Sequence, residues 1–185
     1  QEAYQDAVDG GEPPEVVADL AAAYRRIRNG SSFMRSAAEY GAFPFDPYSH
    51  SPAHLGAQQP GMTGQVKETI LTRTAELGVC VENGSIRLEP TLLQRHEFVA
   101  EPTTWRFIDV DGTAHSLTLE PGSLGFTICA VPIICRLTDG EAMVSAIRHD
   151  GVVVGAHGTR LDPEISRHVF ERNGTIERLE VEVPR

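Results

Sequence analysis

From Pro13 onward the apolar positions Val16, Val17, Leu20, Ala23, Tyr24 and Ile27 recur every three or four residues as far as Asn29-Gly30. That period puts them on one stripe of a helix; Pro13-Pro14 suit its first turn and Gly30 its stop. A second helix is predicted from Thr63, whose hydroxyl suits an N-cap, through Val66, Ile70, Leu71 and Leu77 to Gly78. Between the two, residues 31–61 are rich in proline and follow no sustained period. Irregular stretches of that length are uncommon inside compact domains and are usually functional or disordered. Tyr40, Phe43, Phe45 and Tyr48 favour an ordered loop packed on something.

Beyond Gly78 the period falls to two. VCVENGSIRLEP reads as a hairpin on Asn83-Gly84 and WRFIDVDGTAHSLTLEPG as another on Asp111-Gly112, with the same turn signal at Asp139-Gly140, Asp150-Gly151 and Asn173-Gly174. GSLGFTICAVPIICRL is apolar almost throughout, as a strand covered on both faces would be, with Pro132 implying a bulge or bend. TIERLEVEVPR alternates, with Leu179, Val181 and Val183 on one face and charges on the other. That predicts a strand with one wet face at the outside of a sandwich. LDPEI, at 161–165, reads as a single helical turn between strands. The expected fold is α+β: a helical segment with its long loop over 1–78, then an antiparallel, jelly-roll-like β-sandwich over 79–185.

Composition narrows the class of partner. With 41% hydrophobic and 23% charged residues, the chain is of globular type. Its formal charge of -10 argues against nucleic acid or an anionic membrane surface, and a small neutral ligand fits better. There is no apolar run of about 18 residues to span a bilayer, and the polar opening is not a signal peptide. Because the first residue is Gln, the chain is expected to be processed or cut from something longer. Cys80, Cys129 and Cys135 form no CxxC or metal spacing. Their odd count fits reduced, buried thiols in a cytosolic protein.

Chemistry-bearing residues gather in the long loop. His50, His54, Gln58 and Gln59, with Asp46, put planar hydrogen-bonding groups among aromatics, which is what a sugar site needs because each hydroxyl both donates and accepts. The same groups could instead cap backbone and tie the loop down. Thr63-Gly64 opens a helix whose free N–H groups suit an anion such as phosphate, or form an ordinary cap. Glu68, Glu76, Glu97 and Glu101 are the nearest carboxylates, of which Glu68 reads as a surface residue. His96, His115, His149, His157 and His168 are scattered and form no His-x-His pair followed by Glu, so neither a metal nor another cofactor is expected. No catalytic residue is assigned.

The order of a helix, a long loop, GMTGQVKETILTRTAELGV, a short hairpin ending IRLEP and then strands resembles the C-terminal end of the six-hairpin glycosidase superfamily, especially the sugar phosphorylases that act on cellobiose or chitobiose. In those enzymes a Thr-Gly segment begins the last helix of an (α/α)6 barrel, a Leu-Gly-(Val/Ile) step leaves it and a β-domain closes the chain. The matching residues here are Thr63-Gly64, Leu77-Gly78-Val79 and Ile86-Arg87-Leu88-Glu89-Pro90, while Gln65-Val66-Lys67-Glu68 stands where the family has Gly-Trp. The resemblance implies that Thr63 and Gly64 contact phosphate, and that His50, His54, Gln58 and Gln59 lie near the sugar. It also implies a carbohydrate ligand, and a helical upstream chain or domain as partner, since the general acid and most of the barrel lie upstream. On this reading the chain supplies one wall of a glycoside hydrolase or phosphorylase site and turns over nothing alone. Orphaned barrel helices should also leave an exposed apolar patch. The rival is a non-catalytic β-sandwich module that binds carbohydrate or another protein. Whether the chain forms a homo-oligomer stays open.

Overall fold

The structure, a computed structural model, describes residues 2–30, 63–154 and 158–185, with backbone alone for 2, 26–30 and 63–69. The chain is α+β. Helices α1 (Glu2–Asp9), α2 (Pro14–Gly30) and α3 (Thr63–Glu76) are followed by strands β1 (Val79–Glu82), β2 (Ser85–Leu88), β3 (Thr103–Ile108), β4 (Ala114–Leu119), β5 (Ser123–Ile128), β6 (Val131–Thr138), β7 (Met143–Arg148) and β8 (Val153–Val154). Helix α4 (Pro163–Glu171) and strand β9 (Ile176–Pro184) end the fold. The contacts divide it into two compact units, Gln1–Arg73 and Thr74–Arg185.

In the first unit α1 and α2 form a helical hairpin. The turn ends α1 by the six-to-one pattern: Glu12 N–H reaches Ala7 C=O at 2.9 Å, Gly11 N–H reaches Val8 C=O at 3.1 Å, and Gly11 takes φ +67°. Tyr4 and Ala7 of α1 and Ala21 of α2 are buried. Of the stripe read from the sequence, Val17, Leu20 and Tyr24 are half-buried, while Val16 and Ala23 are exposed and Ala21 is the buried alanine in place of Ala23. Helix α1 has too few apolar residues to announce itself by period. Its signal is the Gly10-Gly11 stop ahead of Pro13-Pro14.

The second unit holds three sheets: the hairpins β1–β2 and β3–β4, and a five-stranded sheet ordered β5-β6-β9-β7-β8. Asn83-Gly84 closes β1–β2 with both residues at positive φ, the conformation Asn-Gly favours, and Asp111-Gly112 lies in the turn of β3–β4 as expected. Strand β2 is also bonded on its other edge, since Leu88 N–H donates to Thr159 C=O at 2.8 Å and Leu161 N–H to Ile86 C=O at 2.9 Å. The remaining Ile86 N–H donates to the fully buried hydroxyl of Ser166 on α4 at 3.0 Å.

Three expectations change. The apolar run 122–137 is not one strand but the hairpin β5–β6, turning on Cys129-Ala130 at φ +51° and +64°. Pro132 then needs no bulge: Ile128–Val131 closes a two-residue turn as a hydrogen-bonded pair, so the next pair, Thr127–Pro132, is of the kind that exchanges no ladder bonds. Second, the large sheet is mixed rather than antiparallel, because β9 runs parallel to β6 and antiparallel to β7. Strand β9 is central in that sheet and keeps the one wet face that its alternation predicted. Third, 161–165 is not a single turn but leads into the nine-residue α4, which starts at Pro163 and stops at Arg172 in the left-handed region. Asp139-Gly140 and Asn173-Gly174 are turns that join elements not paired with each other.

The core lies between the large sheet, β2 and α4. Ile86, Leu88, Ile133, Val144, Leu161, Val169, Leu179 and Val181 are buried to 2% exposure or less. Leu179, Val181 and Val183 face it from β9 as the alternation predicted, while the opposite face carries an ion network of Arg136, Arg178 and Glu180. Cys135 is buried in the core, where the loss of water pushes its thiol up to about 12 and leaves it unreactive. Among the described residues no helix is long and apolar enough to cross a membrane.

Candidate functional site

The loop residues His50, His54, Gln58 and Gln59 lie outside the described residues, and so does His157. Thr63 does open α3, with Gly64 second in the helix, so backbone N–H groups at that terminus are oriented as an anion site requires. Of the other carboxylates, Glu76 is buried and Glu101 exposed, and Glu97 accepts the Gln94 N–H at 2.9 Å, closing a short 3-10 turn. No single cleft gathers these groups among the described residues. No cluster of three or more His, Cys, Asp or Glu suited to a metal occurs there either.

The two motifs that follow α3 form one packed junction. Gly78 ends the helix at φ +70°, and its C=O accepts the Glu89 N–H at 3.0 Å. A Cβ at Gly78 would stand 2.1 Å from the Glu89 carbonyl carbon, so only glycine lets the chain leave the helix against the end of the hairpin. Next to it Arg87 bridges Glu82 at 3.3 Å and Glu89 at 3.0 Å, and Arg160 makes a close pair with the other oxygen of Glu82. The Arg160 hydrogen bond, then the Cys80 thiol and the Arg87 charge, hold the Glu82 carboxyl below the usual range. Leu77-Gly78-Val79 and IRLEP thus pack against each other where the chain leaves the helix, and Arg87 is a structural cation.

A second concentration of polar chemistry is one that pattern reading missed. At the turn end of β3–β4 a cavity of about 250 Å³ opens between that hairpin, the Cys129-Ala130 turn and the start of β9. Leu117, Val131, Pro132 and Ile176 supply apolar wall, and Asp109, His115, His149, Glu177 and Arg178 the polar groups. Phe107 sits at the centre of a stack, its ring 4.9 Å from Trp105 and 5.6 Å from His115. The stack is seated on β5, where a Cβ at Gly125 would come within 2.7 Å of the Trp105 indole. Strand alternation explains the alignment: Trp105 and Phe107 share a face, and His115 is the direct cross-strand partner of Phe107.

Asp109 anchors the cavity's edge. One carboxylate oxygen accepts the N–H groups of Thr113 at 2.8 Å and Asp111 at 2.9 Å; the other lies 2.6 Å from His115 Nε2. The Thr113 amide, with His115 and the Asp111 amide, lowers its pKa against a smaller opposing effect of burial, so it is a fixed acceptor. Arg178 is committed to Glu177 at 2.7 Å and Glu180 at 2.9 Å, while His149 faces Glu177 more loosely at 4.0 Å. The Asp-Gly turn was legible in the sequence, but the approach of residues 107, 132, 149 and 177 depends on strand order. A larger cavity, about 390 Å³, is walled by Leu93, Phe98, Leu137 and Val183, with Glu89, Arg95, Glu182 and Arg185 as its charged groups. No protein-family model matches the chain, and no curated protein matches it.

Proposed function

We propose that the chain is the C-terminal portion, or a separate subunit, of a carbohydrate-active enzyme of the six-hairpin glycosidase kind, a glycoside hydrolase or sugar phosphorylase. The observation that carries this reading is the junction at Gly78. Two of the short motifs on which the resemblance rests, Leu77-Gly78-Val79 and Ile86 to Pro90 with six residues between them, meet there with a contact that only glycine permits. The start of α3 at Thr63-Gly64 supports a phosphate contact, and Ile70 and Leu71, 60% and 70% exposed, are apolar side chains of the sort that a helical barrel would cover. In this reading α2 and α3 are closing members of that barrel and the protein is cytoplasmic. The five-stranded sheet with its two hairpins is, in this reading, the β-domain that closes the chain behind the barrel. His50, His54, Gln58 and Gln59 approach the sugar, and the general acid comes from the helical partner.

The test is reconstitution. The purified chain is assayed with cellobiose and chitobiose, with and without inorganic phosphate, alone and after mixing with the helical chain encoded upstream. Turnover is expected only in the mixture, and Thr63→Ala should raise the KM for phosphate if the reaction is phosphorolysis. Absence of both a complex and any turnover in the mixture rejects the proposal.

A further inference from the structure

We infer that the cavity at the turn end of β3–β4 is a binding site for a single neutral pyranose unit, separate from any site formed with the helical loop. Its size limits the occupant. About 250 Å³ lies just below the range of about 300–1,000 Å³ typical of small-molecule pockets, enough for one ring and too little to enclose a whole nucleotide or a peptide. Its charge limits the occupant again. Asp109, Asp111 and Glu177 line it against one cation, Arg178, whose guanidinium is already engaged by Glu177 and Glu180. Among the described lining residues Arg178 is the one arginine or lysine, so an anionic ligand meets the three carboxylates with no uncommitted guanidinium or ammonium to receive it.

What the cavity offers is suited to hydroxyls. Carboxylate oxygens of Asp109 and Glu177 accept, while the exposed imidazole of His149, and the His115 ring nitrogen not held by Asp109, can donate or accept. Beside them stand the half-buried Phe107, whose ring stacks with both Trp105 and His115, and the apolar wall of Leu117, Val131, Pro132 and Ile176. A pyranose has this same division, with equatorial hydroxyls at its edge and an apolar C–H face. The aromatic stack is fixed before binding, so little side-chain freedom is lost when the sugar enters. The site shares with the proposed function only the ligand class: it lies wholly among residues 107–178 and needs no barrel to bind.

The protein carries its own reporter, because Trp105 is the only tryptophan and stacks directly on Phe107. The full chain is titrated with glucose, N-acetylglucosamine and cellobiose, and with glucose 6-phosphate and adenosine as contrasts, following tryptophan fluorescence and heat. A saturable response in the millimolar range is expected for the neutral sugars, with glucose 6-phosphate at least about tenfold weaker. In calorimetry His115→Ala and Phe107→Leu should each weaken glucose binding about tenfold or more. If Phe107→Leu does not fold, the exposed His115 still carries the test. The inference is overturned if no neutral sugar saturates the parent protein, if glucose 6-phosphate or adenosine binds more tightly than glucose, or if both variants bind like the parent. Sugar binding with neither a complex nor turnover in the reconstituted mixture would leave this site standing and remove the enzyme reading; turnover without binding here would do the reverse.

Discussion

The centre of the five-stranded sheet and the β3–β4 hairpin are made of the same kind of extended chain and put it to opposite uses. On β6 every residue from Val131 to Cys135 is buried, and on β9 Leu179 and Val181 are covered almost completely. On β3 and β4 only Leu119 is buried, Ile108 is 61% exposed, and the hairpin keeps its shape through a stacked row of aromatics and an aspartate that ties its own turn. Burial is where stability comes from, and residues committed to it have no free chemistry. The hairpin sacrifices burial and keeps Phe107, Asp109 and His115 at a cavity mouth. Stability and binding should therefore separate by region when side chains are changed.

The largest effect expected is in the core. Leu179→Ala removes a fully covered side chain at the middle strand and should cost about 2–5 kcal/mol in denaturant unfolding, whereas Phe107→Leu should cost no more than about 1 kcal/mol, because its ring loses little burial. Equal losses at the two positions would break the comparison. Next comes the junction. Gly78→Ala places a methyl group on the Glu89 backbone in a left-handed conformation, while Gly84→Ala, at φ +78° with no atom within 4 Å, bears the conformational cost alone, about 1–2 kcal/mol. The excess loss in Gly78→Ala over Gly84→Ala, read from unfolding midpoints at constant slope, measures the close approach itself.

These two regions also differ in how far they could be read in the sequence. Leu179, Val181 and Val183 announced their face by alternation, and Asn83-Gly84 and Asp111-Gly112 announced their turns, because each of those residue types has a local physical reason to be there. The parallel pairing of β9 with β6 had no such signal, since alternation states a face and never a partner. Helix α4 was cut short because Ile165, Ser166 and Val169 reach the core with only one hydroxyl and two apolar groups over nine residues. The cavity was illegible for the same reason as the pairing: its members come from four separate segments, and only the strand order brings them together.

Acid should sharpen the difference through charge rather than packing. Partial burial pushes the Glu180 carboxyl up, but the bonds and charges of Arg178 and Arg136 more than offset it, leaving the folded value below the ordinary 4.5. Asp109 is likewise held below its ordinary 3.8, by the Thr113 amide first. A carboxyl depressed in the folded state stabilises the fold above its unfolded pKa, and that contribution fades as pH falls through the folded one. Unfolding midpoints should therefore decline below about pH 4.5, and Glu180→Gln should flatten the upper part of that decline. Asp109→Asn retains an oxygen for the Thr113 and Asp111 amides and should flatten only the most acidic part. If neither variant alters the profile, the charged face of β9 and the hairpin turn contribute nothing to acid sensitivity.

The smallest expected effect lies where the two regions meet, at the β5–β6 turn beside the cavity. Cys129 and Ala130 occupy the two left-handed positions of a two-residue hairpin, φ +51° and +64°, with neither the local hydrogen bonding of Asn nor the freedom of Gly. Each bears a conformational cost of about 1–2 kcal/mol, which is also why the turn escaped a reading tuned to Asn-Gly and Asp-Gly. Replacing the pair by Asn-Gly should relieve most of it. Because glycine gains entropy in the unfolded chain, the net stabilisation should be smaller than the summed costs, about 1 kcal/mol. A higher denaturant midpoint at unchanged slope, with sugar affinity preserved, would show that this turn closes the sheet without serving the cavity. A gain in stability accompanied by lost binding would show instead that the strained backbone beside Ala130 and Val131 is part of how the pocket wall is held.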